Sequence, residues 1–87
     1  MRVHRLIVPR EFRIDELQRL SQTAASFRSE ITVEYAEDGN VYTIDMKSIL
    51  GTLLLSFRQG TEITIRTKGK DEEEAIDWLC GAIEPAS

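Results

Sequence analysis

Few side chains in this sequence are equipped for chemistry. The most prominent is the hydroxyl of Ser48, which stands at the head of the most apolar run, Asp45 to Phe57. A short helix from Ile49 to Leu55 is expected to start there. A serine at that position can cap it by accepting a hydrogen bond from a backbone N–H two or three residues on. His4 falls in an extended segment, on the same face as Leu6 and Val8, where a histidine is more often a surface or edge residue than a ligand. Cys80 falls in a helical pattern beside Trp78 and Leu79 and reads as a core thiol. One cysteine forms no internal disulfide, and one cysteine with one histidine does not make a Cys/His metal site. No metal or cofactor is expected. The acidic block Asp71-Glu72-Glu73-Glu74 has a structural use, because carboxylates favour the positive end of a helix dipole.

The elements that position these groups follow from the spacing of apolar residues. Val3 to Val8 reads as a strand, broken by Pro9. Phe12, Leu17, Leu20, Ala24 and Phe27, with Ile14 and Ala25 beside them, make one helical stripe that ends near Phe27-Arg28. Glu30 to Tyr35 alternates, with Ile31, Val33 and Tyr35 inward. It pairs with Val41 to Asp45 through a link containing Asp38-Gly39, a hairpin signal. Gly60 suits a helix C-terminus. Thr61 to Lys68 is a further strand with Ile63 and Ile65 inward. Asp71 to Ile83 is the last helix, burying Ala75, Ile76, Leu79, Cys80 and Ile83. The expected order is β-α-β-β-α-β-α, which suits an α+β open-faced two-layer sandwich: a four-stranded antiparallel sheet covered on one face by three helices. The other face would be wet, which accounts for Thr32, Glu34, Thr43, Thr64 and Arg66.

Eighty-seven residues at 41% hydrophobic and 30% charged fit one folded domain spanning 1–87. No apolar run approaches the roughly 20 residues that span a bilayer. The first residues lack a signal peptide's apolar core, so a cytoplasmic location is expected. A net charge of −4 argues against nonspecific binding to nucleic acid or a membrane surface. The charge is uneven, with six arginines among the first 28 residues.

Several stretches together resemble HPr, the phosphocarrier family of the bacterial sugar phosphotransferase system. Met46-Lys47-Ser48-Ile49-Leu50-Gly51 resembles the family's regulatory-serine motif. Gly60 to Ile65 is similar to its fourth strand, and Gly69-Lys70-Asp71-Glu72-Glu73-Glu74-Ala75 to the start of its last helix. Gln22 to Phe27, running on to Tyr35, is also family-like. The resemblance implies a regulatory serine at Ser48, a substrate in some members for the ATP-dependent HPr kinase/phosphorylase. It also implies a partner surface including Lys47, Ile49, Leu50, Leu53 and Arg13, shared in part with the core by Leu54 and Phe57. The partners implied are proteins: the kinase/phosphorylase, a catabolite repressor or an enzyme I-like protein.

The sequence departs from the family where its carrier chemistry belongs. The family places Gly-Leu/Ile-His-x-Arg-Pro-Ala before the first helix. Here the aligned stretch is Glu11-Phe12-Arg13-Ile14-Asp15-Glu16-Leu17, with Arg13 at the histidine position, Asp15 at the arginine position and Glu16 at the proline position. A guanidinium stays protonated and offers no lone pair to a phosphoryl group. The expectation is therefore a non-enzymatic, HPr-like regulatory or interaction module. The alternatives are a residual phosphocarrier using another acceptor, such as Asp15, and a structural paralogue without a switch.

Overall fold

The computed structural model describes residues 1–48 and 57–84. Within them the order is β1 (Arg2–Ile7), α1 (Ile14–Ala24), β2 (Glu30–Glu37), β3 (Asn40–Asp45), β4 (Glu62–Lys68) and α2 (Glu72–Ile83). The strands form one antiparallel sheet in the order β1-β4-β2-β3. Two helices are described, giving an α+β sandwich. The expected short helix from Ile49 to Leu55, and with it the count of three, lies outside the described residues.

Alternation fixes the sheet's two faces. Leu6, Val8, Ile31, Val33, Ile63 and Ile65 are all buried, and they meet Leu17, Leu20 and Ala24 of α1 and Ala75, Ile76, Leu79 and Ile83 of α2. The opposite face mixes Glu34, Thr43, Thr64 and Arg66 with the exposed apolar Val3, Ile7 and Val41. There Arg66 donates to Glu34 across neighbouring strands at 2.6 Å. The β2–β3 turn is tighter than the sequence suggests: the strands run on to Glu37 and from Asn40, leaving Asp38 (φ 52°) and Gly39 (φ 81°) as the turn. Two consecutive positive φ values mark the turn whose twist matches a hairpin.

Both ends of α1 differ from the expected stripe. Phe12 lies before the helix and Phe27 after it, each packing on the core from a loop. Ile14 is exposed. Asp71 is the residue before α2 rather than its first turn. Its carboxylate accepts from the N–H groups of Arg28 (2.9 Å) and Ser29 (2.9 Å) and from the Ser29 hydroxyl (2.5 Å), stapling the start of α2 to the start of β2. These three donors hold its carboxyl below the ordinary carboxylate range, the serine hydroxyl most of all. Cys80 is half-buried rather than enclosed, and burial raises its thiol pKa.

Candidate functional site

Two places hold the described residues that the sequence singled out: the start of α1, and the turn that carries Ser48. Arg13 is the residue preceding α1, with extended backbone (φ −86°, ψ 162°). N-capping residues are normally acceptors, and a guanidinium only donates. The cap is therefore supplied from the other side. Glu16, three residues on, folds back so that its Oε1 accepts from the Arg13 backbone N–H at 3.1 Å. This is Glu16's half of a capping box. The Arg13 side chain turns to Asp15 through two bonds, Nε to Oδ1 at 3.2 Å and Nη2 to Oδ2 at 3.3 Å.

Arg10 completes the arrangement. Its fork donates to both oxygens of Glu16, Nη1 to Oε1 at 3.2 Å and Nη2 to Oε2 at 2.7 Å. It lies 4.1 Å above the Phe12 ring, and Phe12 meets Phe57 edge-on at 5.6 Å. The Arg10 bonds, joined by the Arg13 N–H, lower the Glu16 carboxyl to about 2. Glu11 accepts from the Gln59 N–H at 3.3 Å, tying this loop to the chain before β4. Two arginines thus face two carboxylates, Asp15 and Glu16, and the donors closest to the first turn are already engaged by the chain's own anions.

Around Ser48 the chain is held by its neighbours. Met46 is fully buried, and its N–H donates to Ile31 at 2.9 Å. Asp45 accepts from the Lys47 N–H through its carboxylate (2.9 Å) and from the Ser48 N–H through its carbonyl (3.1 Å). The Lys47 ammonium donates to the Phe27 carbonyl at 2.7 Å, past the end of α1. Phe27 in turn packs at a tilt against Trp78 of α2, with ring centroids 5.3 Å apart. Ser48 itself is exposed.

Of the predicted site residues, Arg13, Lys47 and Ser48 are placed in this way. Ile49, Leu50, Leu53 and Leu54 lie outside the described residues. Phe57 is buried in the core, so it belongs to the packing and not to an open surface. His4 stands exposed in β1, not at the start of α1. Sequence reasoning missed the Arg10–Glu16 fork and the Lys47 anchor. Neither had a signal in the pattern of residues; the Glu16 cap on the Arg13 N–H did, in their three-residue spacing, hidden because arginine is not a capping residue. Among the described residues no three His, Cys, Asp or Glu side chains are placed to hold a metal ion, and no helix is long and apolar enough to cross a membrane.

Comparison with known proteins supplies the lineage. A family model described as the PTS HPr component phosphorylation site matches residues 16–85. The chain belongs to the HPr family. It is 41% identical over 63 residues to the HPr-like protein Crh of Halalkalibacterium halodurans, covering 72% of this chain and 70% of that one. Its fold is similar to the phosphocarrier protein HPr of Bacillus anthracis, with a TM-score of 0.82 and 30% identity, covering 95% of this chain and 96% of that one. It is also similar to Bacillus subtilis Crh, with a TM-score of 0.71 and 27% identity over 94% and 90% of the two chains; that crystal structure reveals a swapping domain in an intertwined dimer.

Proposed function

We propose that this HPr-family protein is a non-enzymatic regulatory or interaction module that does not relay phosphate through histidine, and that phosphorylation of Ser48 is its switch. The observation that carries the first part is the Arg10–Glu16–Arg13–Asp15 cluster. In this reading Arg13 takes the place of the phosphoryl-accepting histidine. The first turn of α1, where an incoming phosphoryl group would need free donors, already has its capping N–H bonded to Glu16, and Asp15 and Glu16 would repel the group's charge.

Support for the switch comes from exposure and from local physics. Ser48 is exposed at the end of a turn whose buried anchor is Met46. A phosphate there would add about −1.5 to −2 charges next to Lys47. If a helix starts at Ile49, the phosphate also meets the positive end of its dipole. The partner surface in this reading comprises Lys47, Ile49, Leu50, Leu53 and Arg13, and the partners are proteins of carbon catabolite regulation in the cytoplasm. The likeness to the Crh proteins favours this class over a carrier.

The test is intact-mass spectrometry of wild type and Ser48→Ala after two incubations, one with HPr kinase/phosphorylase and ATP, the other with enzyme I and phosphoenolpyruvate. One added phosphate with the kinase, absent in Ser48→Ala, is the expected result. A phosphate gained from enzyme I would overturn the loss of relay. No gain from the kinase would overturn the switch.

A further inference from the structure

Strand β3 forms one end of the sheet, and its outer edge is open among the described residues, where β2 is the one element it contacts substantially. A strand edge presents a row of unpaired N–H and C=O groups, and proteins usually blunt it with lysine, proline, a bulge or inward charge. The opposite edge is guarded in that manner. Strand β1 carries Arg2, which donates to Glu73 at 3.2 Å, and Arg5, 4.0 Å from Glu62. Strand β3 has none of these devices. It reads Asn40-Val41-Tyr42-Thr43-Ile44-Asp45, rich in strand-forming residues and without lysine, arginine, proline or glycine. Its pairing with β2 runs without a bulge from Thr32↔Asp45 to Glu37↔Asn40. Val41 and Tyr42 are 65% and 42% exposed. Its only charge, Asp45, is turned back onto the Lys47 N–H.

We propose that the outer edge of β3, open among the described residues, pairs antiparallel with β3 of a second copy of this chain, about a two-fold axis through Thr43. Only an extended strand satisfies such an edge, and this segment is complementary to itself. The two-fold sets Thr43 opposite Thr43, Tyr42 opposite Ile44, and Val41 opposite Asp45. Thr–Thr and aromatic–β-branched pairs are favourable across strands, and no like charges face one another. Tyr42 is supported from behind by its stack on Tyr35, 5.3 Å away and 25° from parallel, so the ring that meets the second copy is already ordered. Residue 43 lies on the same face in both copies, so pairing doubles the sheet and keeps the helices of both on one side.

Charge at the axis tests this. Thr43 is exposed and opposes Glu34 of β2, which is itself held by Arg66. Thr43→Lys or Thr43→Glu therefore leaves the core untouched, while each places two like charges directly opposite one another in the dimer. Sedimentation velocity from micromolar to millimolar, with thermal melts to verify folding, is run on wild type, each variant and their equimolar mixture. The expected result is a wild-type dimer, weakening by about tenfold or more in each variant alone, and recovery in the mixture, where lysine meets glutamate. A wild type that stays monomeric overturns the proposal. So do variants that dimerise as well as wild type, which would mean exchange of whole elements or another surface. A mixture no tighter than its components also overturns it, since the two residues at position 43 would then not face one another.

Discussion

Replacing Gly69 with alanine should be among the most damaging single-methyl changes available. Gly69 has φ +150°, a backbone region that is all but reserved for glycine, and a Cβ built there would lie 2.6 Å from the Cα and 2.7 Å from the Oγ of Ser29. Two costs add. The backbone region alone costs a residue with a side chain on the order of 1–3 kcal/mol. The contact falls on backbone that cannot rotate aside, at a fully buried residue held by the Asp71 carboxylate. Taking about 2 kcal/mol for the backbone cost alone, and about 4–8 °C per kcal/mol for a domain of this size, Tm should fall by about 8–16 °C before the contact with Ser29 is added, and further with it. Gly39→Ala is the control. Its φ is +81° but nothing lies within 4 Å of the added methyl, so it bears the backbone cost without the contact. Differential scanning calorimetry on both variants separates the two costs. A Gly69→Ala melt no lower than that of Gly39→Ala would show that the close approach to Ser29 has no energetic weight.

Two further outcomes are expected. Glu16, Asp71 and Glu72 all have lowered carboxyl pKa values, Glu16 to about 2 from an ordinary 4.5. The Glu16 contribution is fully present above pH 4.5 and is lost as pH falls toward 2, and Asp71 and Glu72 act in the same direction, so stability should drop on acidification. In Glu16→Gln the acid-induced loss should be smaller, read by denaturant midpoints at a series of pH values. Separately, Arg13→His alone should gain no phosphate from enzyme I and phosphoenolpyruvate, because Asp15 and Glu16 remain. The triple change Arg13→His, Asp15→Arg, Glu16→Pro restores the family's pattern at these positions and should acquire at least a detectable fraction of phosphoprotein by intact mass.

The sheet was legible because its residues obey a period of two without exception at Ile31, Val33, Ile63 and Ile65, and all four are buried. The helix boundaries were less so. Phe12 and Phe27 continue the α1 stripe in the sequence, yet they reach the core from loops, since an aromatic ring can span the distance that a further helical turn would otherwise cover. Cys80 shows the same limit: a helical stripe assigns a side, but not how deeply the side chain sits. At the candidate site the types Arg13, Asp15 and Glu16 were readable, but their pairing was not. Whether Arg10 meets Glu16 depends on the path of the chain after Pro9, which no periodicity encodes. The Lys47 bond to Phe27 joins positions 20 residues apart and depends wholly on tertiary structure.

The way Glu16 is used also bears on the evolutionary reversibility of the proposed loss. One carboxylate closes α1, neutralises Arg10 and thereby keeps that guanidinium seated over Phe12. A mutation returning histidine to position 13 would leave this carboxylate in place, facing any phosphoryl group. A mutation removing the carboxylate first would uncap the helix and strand Arg10 without its partner. Each single step toward a carrier therefore gives a protein that is either no more capable or less stable than its parent, so the arrangement works as a ratchet. Selection acting one substitution at a time would hold the chain where it is, even in a cell that still supplies every partner of the relay.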